Sequence, residues 1–103
     1  MSTTTIPNHL MQDRHWRGLI HLFANCPKLK MYFTTEYINV NSGIVHVTKL
    51  KRISAPWSQS EKFMLNLALH LFNERYKVNL SDMDYLDDTN RQVAIKAIQL
   101  RFP

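Results

Sequence analysis

At 103 residues, 45% hydrophobic and 20% charged, the chain is long enough for one modest core and too short for two independently folding halves. That hydrophobic content excludes a disordered polymer, and the longest apolar stretch, 63–72, broken by Asn66 and His70, is far short of the roughly 20 residues a membrane helix needs. The formal net charge of +5 is uneven: residues 1–60 hold seven Lys/Arg against two acids, whereas 61–103 hold six against six, so the first part is where an anionic partner would be met.

Residues 1–9 are polar, Thr-rich and contain Pro7, the composition of a flexible arm ahead of one domain. They lack the basic start and apolar run of a secretory signal, and the single Cys26 cannot form an internal disulfide; a cytoplasmic protein is expected. From Asp13 the spacing of Trp16, Leu19, Ile20 and Phe23 predicts a helix, with Arg14, Arg17 and His21 mostly off its apolar face. It should stop before Pro27, which disfavours the α conformation in its predecessor.

Over 29–53 the strand-favouring residues Tyr32, Phe33, Tyr37, Ile38, Val40, Ile44, Val45 and Val47 flank Asn41-Ser42-Gly43, the pattern of a hairpin. A two-residue Ser42-Gly43 turn would pair Val40 with Val45 and Ile38 with Val47. The same register sets Glu36 opposite Lys49 but turns Phe33, Tyr37 and Leu50 to the polar face, a conflict that demands a bulge or a second buried surface.

Ser58-Gln59-Ser60-Glu61 reads as a capping box opening a helix through about Asn73. Apolar around most of its circumference, this helix should be the most buried element. After a polar connection over 74–79, Ser81 is expected to cap a short turn over 82–86, and Asp87, Asp88 or Thr89 to cap a last helix that buries Val93, Ala94, Ala97, Ile98 and Leu100. The order helix, hairpin, helix, short helix, helix describes an α+β fold around one core.

Catalytic and metal chemistry find little footing. No two of the five histidines lie at i, i+4 on one predicted helix, and none stands at a zinc-like spacing from Cys26. His70 reads as a hydrogen-bonded core residue, and His15, His21 and His46 as solvent-facing. Asp82, Asp84, Asp87 and Asp88 lack the central glycine and terminal glutamate of a calcium loop and suit helix caps and first turns instead. With Gly18 and Gly43 the only glycines, neither a phosphate loop nor a nucleophile elbow can be built; no enzyme, cofactor or metal is expected.

The chemistry-bearing feature is the basic hairpin. Lys28, Lys30, Lys49, Lys51 and Arg52 converge near its predicted open end beside Tyr32, Phe33 and Tyr37, and cations interleaved with aromatics suit phosphate contacts plus base stacking. The bland alternative is a solvated strand edge whose lysines discourage pairing with other molecules. Trp16 and Trp57 read as packing residues.

The run Trp57-Ser58-Gln59-Ser60-Glu61-Lys62-Phe63-Met64-Leu65-Asn66-Leu67-Ala68-Leu69-His70-Leu71-Phe72-Asn73, with Leu80-Ser81-Asp82-Met83-Asp84-Tyr85-Leu86-Asp87 and Ala97-Ile98-Gln99-Leu100-Arg101-Phe102, resembles small proteins of Gram-positive bacteria and their phages and plasmids. That setting includes anti-CRISPR proteins, inhibitors of type II CRISPR nucleases. The resemblance implies a context and carries no residue roles. Together these observations lead to the expectation of a binding protein that engages a nucleic acid or nucleoprotein, such as a CRISPR effector, through Lys28, Lys30, Tyr32, Tyr37, Lys49, Lys51 and Arg52. The competing expectation is a structural or self-associating module, a homodimer or phage accessory protein, with an apolar working surface and no nucleic-acid contact.

Overall fold

The computed structural model describes residues 7–103; most of the N-terminal arm expected over 1–9 lies outside them. A helical turn, α1 (Asn8–Met11), leads into α2 (Arg14–Asn25). α2 starts where the Asp13 carboxylate accepts a hydrogen bond from the His15 backbone N–H at 2.9 Å, satisfying a first-turn donor that has no intrahelical partner. It ends at Asn25, with Cys26 as cap ahead of Pro27. Pro27 then opens α3 (Pro27–Lys30), since its fixed φ suits the first helical position. Trp16, Leu19, Ile20 and Phe23 are buried as their spacing predicts, and Leu22 joins them.

α5 (Gln59–Phe72) packs chiefly against α2, and α2, rather than α5 as expected, is the helix around which the others gather. Ser58 Oγ accepts from the Glu61 N–H at 3.3 Å and the Glu61 carboxylate accepts from the Ser58 N–H at 3.1 Å, so the expected capping box is formed. α5 buries Phe63, Met64, Leu65, Leu67, Ala68, Leu69 and Leu71, and each such large side chain stabilises the fold by about 1.5–3 kcal/mol. His70 is half-buried, its Nδ1 2.8 Å from the Tyr76 carbonyl oxygen.

A 3-10 helix (Leu80–Tyr85) follows. Its cap is Asn79, whose carboxamide oxygen accepts from the Ser81 N–H at 3.1 Å, rather than Ser81 as expected; the longer Asn side chain reaches the amide two residues on, placing Ser81 inside the helix. The last helix, α6 (Asp88–Arg101), is capped by Asp87, which accepts from the Asn90 N–H at 2.8 Å. α6 fully buries only Ala94 and Ala97; Val93, Ile98 and Leu100 are half-buried. Small residues permit close approach: a Cβ on Gly18 of α2 would lie 3.1 Å from the Leu71 side chain and 3.3 Å from the Ala97 carbonyl oxygen. Arg101 closes the assembly, its Nε donating at 3.0 Å to the Leu71 carbonyl in the last turn of α5.

The hairpin departs most from expectation. It is confined to β1 (Ile38–Asn39) and β2 (Ile44–Val45), with Ile38 opposite Val45 and Asn39 opposite Ile44, not Val40 opposite Val45 and Ile38 opposite Val47. The connection is Val40–Gly43, organised by the Asn39 carboxamide oxygen, which accepts from both the Asn41 and Ser42 N–H groups at 3.1 Å. This frees Val40 to turn into the core, fully buried, and Gly43 supplies the positive φ of 71° that a side chain would oppose. Upstream, Tyr37 and Ile38 donate to the Thr34 carbonyl at 3.0 and 2.7 Å, so 34–37 is a turn. Downstream, Val47–Ile53 forms a helix, α4, and Lys49, Lys51 and Arg52 are therefore helical rather than on a strand. The conflict at Leu50 is thereby resolved: helical geometry sends Leu50 fully into the core while Lys49 and Arg52 remain exposed. The α+β reading holds in a helix-dominated form.

Candidate functional site

α4 is a half-buried helix of seven residues. Leu50 anchors it, and Ser54 at its end is buried with its hydroxyl donating to the Lys51 carbonyl at 3.1 Å. Lys49 and Arg52, three residues apart, share a face, and both line a depression of about 180 Å³ with Ile53, Tyr37 and Glu36. Glu36 is the only acid between Arg14 and Ser60. Among the described residues the ion pairs are His15 with Asp13 and Arg91 with Asp88. Glu36, Lys49 and Arg52 therefore face one space without being locked to one another. Desolvation, the Glu36 carboxylate and then Tyr32 push the Tyr37 hydroxyl above its ordinary pKa.

An aromatic row runs from this depression. Tyr37 meets Tyr32 edge to face with ring centres 5.2 Å apart, and Tyr32 lies 5.4 Å from the Trp57 ring. The Lys28 ammonium stands 5.3 Å over Trp57, within cation–π range. Trp57 is buried, 8% exposed, so it acts as the backing of the row, while Tyr32 and Tyr37 are half-exposed. Lys49 also lines a second, wider hollow of about 450 Å³ with Val45, His46, Val47, Thr48 and Tyr76, where the Arg75 guanidinium stands 5.9 Å from the centre of the Tyr76 ring.

Of the residues predicted from sequence, Tyr37, Lys49 and Arg52 meet at the first depression, and Tyr32 and Lys28 extend it through Trp57. Two do not join them. Lys51 donates to Asn66 Oδ1 on α5 at 2.9 Å, and Lys30 is an exposed end of α3 that lines neither hollow. Sequence reasoning missed Glu36, His46, Trp57 and Tyr76 as lining residues. Glu36 carried a visible signal, as one acid in a cationic stretch set opposite Lys49; Tyr76 carried only its adjacency to Arg75.

Chemically, the arrangement offers two exposed cations for phosphate oxygens, half-exposed aromatic rings for stacking, and one carboxylate that can only accept hydrogen bonds. Among the described residues, no three His, Cys, Asp or Glu side chains gather as a metal-binding group, Cys26 is buried and free, and no helix is long and apolar enough to cross a membrane. Comparison with protein-family models, curated proteins and solved structures finds no match to this chain.

Proposed function

We propose that this protein is a non-enzymatic binding protein that engages a nucleic acid or nucleoprotein through the surface formed by α4, Tyr32 and Tyr37. The observation that carries the reading is the convergence of Lys49 and Arg52 with Tyr37 on one depression, extended by Tyr32 and Lys28. Phosphate contacts supply affinity without sequence, and base stacking on aromatic rings suits unpaired strands. The sharpest form is an inhibitor of an RNA-guided nuclease, in which this surface would contact guide RNA or displaced DNA. The test is the anisotropy of a labelled single-stranded oligonucleotide: Lys49→Glu combined with Arg52→Glu abolishes binding and leaves Tm within a degree or two, since both side chains are exposed. Lys51→Glu, whose partner is Asn66, weakens binding far less. Equal binding by the double variant and the parent protein would sink the reading.

A second reading has its own observation. Leu67, Leu71, Val78, Leu80, Ile98 and Phe102 line an apolar hollow of about 240 Å³ beside His70, and Leu80 and Phe102 are each 58% exposed. Exposed apolar surface of this kind favours self-association. Sedimentation decides: a dimer that Leu80→Asp dissociates, with no affinity for oligonucleotides, would replace the first reading.

A further inference from the structure

The depression at Tyr37 has a composition that phosphate binding alone does not explain. A surface built only to hold a polyanion has no use for a carboxylate, yet Glu36, the one acid in residues 14–60, lines it together with Lys49 and Arg52. Nor is Glu36 there as an ion-pair partner of either cation, since neither appears among the ion pairs of the described residues. At about 180 Å³ the space falls below the roughly 300–1,000 Å³ of clefts that enclose drug-sized ligands and suits one flat ring. Tyr37, half-exposed, is the aromatic member of its lining and Ile53 the aliphatic one.

Base chemistry then selects among rings. An ionised carboxylate accepts and never donates, so it favours an edge presenting two adjacent donors. Guanine offers that edge in its N1–H and its exocyclic N2 amine. Adenine and cytosine set their amine beside a ring nitrogen that accepts, and uracil sets its one N–H between two carbonyls; each turns an acceptor toward the carboxylate. The edge in question is engaged in pairing in a duplex, and only unpaired bases expose it.

Resting on the nucleic-acid reading above, we propose that this depression receives one unpaired guanine of a single strand, with Glu36 accepting from its N1–H and N2 amine, Tyr37 stacking on the base, and Lys49 and Arg52 holding the flanking phosphates. Because Lys49 also borders the wider hollow at His46 and Tyr76, the neighbouring nucleotide has a place to continue.

The experiment uses labelled oligouridine carrying one central guanine, the same strand with inosine in its place, and plain oligouridine. Inosine keeps N1–H and lacks the N2 amine. The guanine strand should bind about tenfold more tightly than either of the others, the discrimination typical of a bidentate side chain–base contact. Glu36→Gln should erase that preference while plain oligouridine binds as well or better, because a negative charge has left a basic surface. Equal affinity for guanine and inosine strands, or a preference that survives Glu36→Gln, overturns the guanine pocket and leaves nucleic-acid binding standing. Failure of every strand to bind overturns both.

Discussion

At the scale of single residues, placement in the fold decides which charges are available. Lys49 and Lys51 are two positions apart and would look alike on a strand, but on α4 one borders two hollows and the other is drawn to Asn66. His21 shows the same dependence on its neighbours. Its Nδ1 lies 3.2 Å from the Asn25 amide nitrogen, which can only donate, so Nε2 carries the ring proton; that atom is buried without a hydrogen-bond partner. Burial and then the charge of Lys96 lower the His21 pKa below the ordinary 6.5. The folded protein therefore favours neutral His21, and its contribution is present above the unfolded value and lost as pH falls through the folded one. Thermal melts from about pH 7 to pH 5 should show a Tm loss that is shallower in His21→Gln than in the parent protein; identical slopes would remove His21 from the pH response.

At the scale of elements, α4 is the part most easily misread. Val45, Val47 and Thr48 have strand-favouring side chains and follow a Gly-containing turn, so local preference extends the hairpin. The decisive signal is the period: Val47, Leu50 and Ile53 recur every third residue, which gathers them on one face of a helix and scatters them on a strand. Leu50→Ala should cost about 2–5 kcal/mol in denaturant unfolding, as expected for a fully buried leucine, whereas Thr48→Ala on the exposed side should stay within about 0.5 kcal/mol. Comparable losses at both positions would contradict the helix. α2, α5 and α6 were legible to within a residue or two because each carries its own cap: Asp13, Ser58 with Glu61, and Asp87. The hairpin register was not, because it depends on the Asn39 side chain capturing two loop amides and on Val40 finding room in the core, neither of which a local pattern encodes.

At the scale of the whole molecule, the core formed by α2, α5 and α6 sets the basic, aromatic surface on one part of the fold and leaves an apolar hollow beside α6. The residue types of the candidate site were legible as a cationic stretch with tyrosines. Their grouping was not, because it passes through Trp57, which precedes α5 and joins Lys28 of α3 to Tyr32 by long-range packing. If Lys49 and Arg52 neutralise phosphates as proposed, the salt dependence of single-strand affinity reports it. Each phosphate contact on a single strand contributes about 0.7 to the slope of log affinity against log salt. Lys49→Glu with Arg52→Glu, measured at salt low enough to retain residual binding, should therefore flatten that slope by at least about 1.4, while Lys51→Glu leaves it close to the parent value. An unchanged slope in the double variant, or parent binding that does not weaken with salt, would contradict the account.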